Sequence, residues 1–109
     1  MLATMLADEG YAVLTASDGK EALDLLVAEG QPEPRLIVLD MEMPEMGGMD
    51  LLATMSGYAR LAKIPVVIHS GSERHAEALR YPSVVGIVEK PVDRAVLLSH
   101  AANAASDAR

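Results

Sequence analysis

The sequence predicts an α/β fold, an open parallel sheet with helices on both faces. Three observations carry this expectation. Short apolar runs alternate with amphipathic stretches along the whole chain. Two of those runs, Leu36-Ile-Val-Leu39 and Ile64-Pro-Val-Val-Ile68, are apolar without alternation, as strands covered on both faces are. Gly and Pro separate the segments, and parallel neighbours require helical crossovers between them.

Met1, Leu2, Met5 and Leu6 recur at helical spacing and stop at Gly10, which predicts a short first helix. Tyr11 to Ala16 reads as a short strand. Asp18 followed by Glu21 predicts a capped helix start, and the helix continues through Leu23, Leu26 and Val27 to a C-terminal cap at Gly30. After a break at Gln31 to Pro34, Arg35 to Asp40 is a buried strand that ends on a carboxylate. A loop with Pro44, Gly47 and Gly48 precedes a helix with Met49, Leu52 and Met55 on one side. Ile64 to Ser70 is the next buried strand, Ser72 to Arg80 a short helix, Val84 to Glu89 a strand, and Asp93 to about Ala105 a last helix.

One domain, residues 1–109, accounts for the length, and no repeat or linker divides it. Nine basic against sixteen acidic residues give a net charge of −7, which argues against nucleic-acid binding through clustered Lys and Arg. No Phe or Trp is present to stack bases. No apolar stretch reaches the roughly 18 residues that cross a membrane. With no cysteine, disulfides and thiol catalysis are excluded, and a cytoplasmic setting is expected.

In open α/β sheets, ligands sit beyond the carboxyl ends of the strands. That rule picks out Asp40, Ser70 and Lys90, each following an apolar run. A strand-end Asp can attack phosphorus, and the charge then gathered on the equatorial oxygens calls for a cation and a hydroxyl aimed at it. Five methionines fall between Met41 and Met55, and packing is the expected role for them. His69 is expected to be a packed histidine, and His75 and His100 to sit on helix surfaces. Asp18, Asp24, Asp50 and Asp93 read as caps and solvated faces.

Leu36-Ile-Val-Leu-Asp40-Met-Glu-Met-Pro44-Glu-Met-Gly-Gly48 resembles the phosphoacceptor segment of response-regulator receiver domains. Val66-Val-Ile-His-Ser70-Gly resembles their fourth strand with its switch hydroxyl, and Val88-Glu-Lys90-Pro91 the Lys-Pro step after their fifth strand. Gly10-Tyr-Ala-Val and Ala16-Ser-Asp-Gly-Lys-Glu-Ala-Leu23 are similar to the second strand and second helix. The resemblance implies a flavodoxin-like doubly wound sheet of order 2-1-3-4-5. It implies phosphorylation of Asp40 by a histidine kinase or a phosphotransfer protein, with Lys90 on the phosphoryl group and Ser70 swinging toward it. A downstream effector protein would read the switched surface. Magnesium is implied too, held by the Asp40 carboxylate and the backbone carbonyl of Glu42. Pro91 would carry a cis peptide bond, and Glu42 and Ser72 would tune loss of the phosphoryl group.

The chain departs from the family at its start. The first strand and the acidic pair that ends it are missing, and the complete protein is expected to begin upstream of Met1. Asp8 and Glu9 read as solvated charges at the far end of the first helix, not as a substitute pair. Ile87 stands where the family often has Tyr or Phe, so no aromatic rotamer switch couples to Ser70. The resemblance implies a signalling module and not an enzyme. The alternative is a phosphorylation-impaired pseudo-receiver that binds proteins. A haloacid-dehalogenase-like phosphatase, which also uses a strand-end Asp, is disfavoured because Glu42 replaces its second Asp.

Overall fold

The described residues of the computed structural model (2–28, 30, 33–40, 47–70 and 78–106) include four α-helices and three strands. They are α1 (Leu2–Asp8), α2 (Gly19–Val27), β1 (Ile37–Asp40), α3 (Gly48–Ser56), β2 (Val66–Ser70), β3 (Val84–Glu89) and α4 (Arg94–Ser106). The strands form one parallel sheet of order β1-β2-β3, matching the third, fourth and fifth strands of the expected topology. No helix among the described residues is long and apolar enough to cross a membrane.

The helix ends follow their local chemistry. Gly10, at φ 93°, closes α1: the Tyr11 amide donates to the Leu6 carbonyl and the Gly10 amide to the Ala7 carbonyl, a paired arrangement that needs a left-handed residue. Asp18 caps α2 by accepting from the Glu21 amide at 2.8 Å, while the Glu21 carboxylate accepts from the Ser17 amide at 2.7 Å. Asp18→Ala should therefore lower stability by about 1 kcal/mol in urea unfolding. Asp93 caps α4 in the same way, accepting from the Val96 amide at 3.2 Å.

β2 is buried at every position except His69, which is half-buried. Leu39, Val66 and Ile68 pack with Leu51, Leu52, Met55, Leu61 and Ile64 into the main core, and α2 contributes Ala22, Leu23 and Leu26 at its margin. On the other face, α4 lies against β3 with the His100 ring over Gly86, and Leu97 and Ala101 are buried. Helices thus cover both faces. A Cβ on Gly86 would stand 2.3 Å from His100 Cε1, so the ring must move for any larger residue. Gly86→Ala should cost about 1–3 kcal/mol, and adding His100→Ala should return part of it in a double-mutant cycle.

Four expectations are corrected. Tyr11 to Ala16 is not a strand: it has no ladder partner among the described residues, and a strand cannot be defined by an apolar pattern without one. β1 is not buried on both faces: of its four residues only Leu39 is fully buried, and among the described residues β1 has a ladder neighbour on one side. α2 ends at Val27, with Ala28 extended, so Gly30 (φ 81°) belongs to the following turn and not to the cap. His100 is half-buried rather than a surface residue, since Gly86 leaves room for its ring. Of the expected helix from Ser72 to Arg80, only Ala78–Arg80 is described, as a single 3-10 turn.

Candidate functional site

The parallel register brings the three predicted residues to one edge. Asp40 pairs with His69 at the ends of β1 and β2, and Ser70 pairs with Glu89 near the end of β3. The Lys90 amide donates to the Ser70 carbonyl at 3.1 Å, so the main chain fixes Lys90 beside β2. From there its side chain reaches across to Asp40. Lys90 Nζ lies 3.1 Å from Asp40 Oδ1 and 3.2 Å from Oδ2, spanning both carboxylate oxygens.

Burial differs among the three. Ser70 is 2% exposed, whereas the Lys90 and Asp40 side chains are 34% and 40% exposed. An ion pair this open to water contributes only about 0–1 kcal/mol to stability. Both charged groups are open to a reactant arriving from solvent, while the hydroxyl-bearing residue is held in the sheet. The Lys90–Pro91 peptide is cis. Ile87 pairs with Ile68 and packs against the core, an aliphatic side chain behind the edge. His69 also comes to this edge, paired with both Asp40 and Val88; its place directly before Ser70 was the sequence signal for it.

Glu42, Ser72 and His75 lie outside the described residues, as do Met41, Met43 and Met46. Met55 is a core residue and Met49 packs beside it, as packing methionines should. Glu9 is exposed and pairs with Arg94 at 3.2 Å, tying α1 to α4. Among the described residues no group of three or more His, Cys, Asp or Glu side chains could hold a metal ion. The described donors therefore do not amount to a magnesium site: Asp40 supplies a carboxylate, and that carboxylate faces Lys90.

Comparison with known proteins agrees with this geometry. The transcriptional regulatory protein GlrR of Escherichia coli (strain K12) is 33% identical over 97 residues, covering 89% of this chain and 21% of that protein. The two-component response regulator ORR11 of Oryza sativa subsp. indica is 40% identical over 70 residues, 64% of this chain and 46% of that protein. The chain thus spans less than half the length of these relatives. The crystal structure of the receiver domain of NtrX from Brucella abortus superposes with a TM-score of 0.80 at 28% identity, covering 98% of this chain and 88% of that one. The flavodoxin-like fold of such receiver domains is the fold of this chain, and magnesium use and phosphorylation are properties of their family. Residues 1–102 match the response regulator receiver domain, and the chain belongs to that family.

Proposed function

We propose that this chain is a phosphoacceptor module of a two-component relay, taking a phosphoryl group on Asp40 from a histidine kinase or a phosphotransfer protein. The observation that carries this reading is Lys90 Nζ within 3.1 and 3.2 Å of the two Asp40 oxygens, at an exposed strand-end edge. One Asp40 oxygen attacks phosphorus as the P–N bond to the donor's imidazole breaks, and the electron pair of that bond leaves with the nitrogen. Lys90 exchanges its contact with the free carboxylate for one with the phosphoryl oxygens, and the Ser70 hydroxyl supplies a further donor. That rearrangement at the ends of β2 and β3 alters the surface offered to an effector protein. The role is that of a cytoplasmic signalling module without turnover of a separate substrate.

Incubation with acetyl phosphate and magnesium tests the reading. The intact chain should gain the mass of one phosphoryl group, and Asp40→Asn should gain none. No gain in either protein would leave the second reading, a pseudo-receiver that binds proteins without phosphorylation. Phosphate release from monoesters would instead point to a phosphatase.

A further inference from the structure

We infer that the end of the sheet where the three strands begin is a basic docking surface for an acidic segment of a partner protein. The inference does not rest on phosphorylation at Asp40, which lies at the opposite end of the strands. Main-chain bonds draw the segments that lead into the strands together. The Ile37 amide donates to the Pro65 carbonyl at 2.9 Å, and the Val66 amide to the Ser83 carbonyl at 2.8 Å. Each of these segments carries a base shortly before its bonded residue: Arg35 before Ile37, Lys63 before Pro65 and Arg80 before Ser83. Lys63 and Arg80 each close a 3-10 turn, Leu61–Lys63 and Ala78–Arg80. Leu61 and Ala78, the first residues of those turns, are buried in the main core. The backbone under the two cations is therefore anchored, while Arg35, Lys63 and Arg80 are themselves exposed.

These three side chains have no hydrogen-bond or ion-pair partner among the described residues. Arg60, in the same stretch, is different. Its guanidinium donates to the Glu33 carboxylate at 2.9 Å and to the Leu26 carbonyl at 3.1 Å, at the end of α2. Glu33, the described carboxylate nearest Arg35 in sequence, is thereby engaged. At the opposite end the cation of the candidate site, Lys90, meets Asp40 within the chain. A chain of net charge −7 thus presents a positive face at one end, and such a face attracts a partner of opposite charge. Neighbouring strands lie about 4.8 Å apart, so the three strand starts span about 10 Å. An extended peptide advances about 3.3 Å per residue, and roughly three or four residues cross that span. A short acidic run matches the surface and ends where the surface ends. A nucleic-acid strand would carry its remaining phosphates over an otherwise acidic chain.

The test uses the full chain and a fluorophore-labelled octapeptide of aspartate, glutamate and glycine, read by fluorescence anisotropy. Exposed ion pairs each add up to about fivefold in affinity, so binding should be saturable, with a Kd below about 1 mM at low salt. Raising the salt to about 300 mM should weaken it about tenfold or more. Arg35→Glu, Lys63→Glu and Arg80→Glu should each weaken it about tenfold, because each removes an attraction and adds a repulsion. Where a reversed charge fails to fold, glutamine at the same position serves, with a loss of about threefold. Lys20→Glu changes the net charge equally but lies in the first turn of α2, whose last turn is the one that meets Arg60. It should leave the affinity within about twofold. Equal losses in Lys20→Glu and in the other three would overturn the inference, because net charge alone would then explain binding. Absence of binding at millimolar peptide would overturn it as well. So would tighter binding of a single-stranded DNA oligonucleotide that the same three changes abolish, since a nucleic acid would then be the occupant.

Discussion

Lys90→Ala is expected to slow phosphoryl transfer to Asp40 by about a hundred- to a thousandfold while leaving stability within about 1 kcal/mol of the parent. The two effects separate because they draw on different environments. In the resting chain the Lys90–Asp40 pair is 34% and 40% exposed, so water competes for both charges and their attraction is weak. During transfer the incoming phosphoryl group stands over that pair, excludes water and adds negative charge at the same point. An ammonium already placed 3.1 and 3.2 Å from the two Asp40 oxygens then needs little reorganisation to meet that charge. The measurement is the rate of mass gain from acetyl phosphate, set beside urea unfolding of the same proteins. Lys90→Arg keeps the charge but changes its shape and reach, and should recover part of the rate. A Lys90→Ala protein that reacts at the parent rate would remove Lys90 from the mechanism, and one that unfolds would make it a structural residue.

The convergence of Asp40, Ser70 and Lys90 was legible because it follows from chain direction alone. Three apolar runs that become parallel strands must end at the same edge, whatever the details of packing. The register that sets Asp40 beside His69, and the main-chain bond that holds Lys90 against Ser70, were not legible. Both depend on how strands slide against each other, which no local pattern encodes. Segment 11–16 shows the same limit from the other side. Its apolar residues suit a strand, but a strand exists only by pairing, and segment 11–16 has no ladder partner among the described residues.

One misreading had a usable signal. Gly86 interrupts an otherwise branched strand, and a glycine inside a strand marks a close approach or a bulge. Both occur there: His100 packs over Gly86, and the register jumps from Val66–Val84 to Val67–Gly86, which leaves Val85 unmatched and 57% exposed. A bulge at that position bends the outer strand and blunts the edge against pairing with another chain.

Leu52→Ala is expected to destabilise the chain by about 2–5 kcal/mol, the largest stability loss among the single changes considered. Leu52 is 1% exposed on α3, among Leu51, Met55, Leu61, Ile64 and Ile68. The cost combines lost transfer free energy with a cavity that rigid neighbours cannot fill, because β2 behind it is held by strands on both sides. Total stability for a domain of this size is about 5–15 kcal/mol, so the loss is a large share of it. Urea unfolding should show a lowered midpoint with an unchanged slope. Leu79→Ala, at a leucine 53% exposed on the 3-10 turn before β3, should stay within about 0.5 kcal/mol of the parent. Equal losses for the two changes would mean that the α3 face does not form the core.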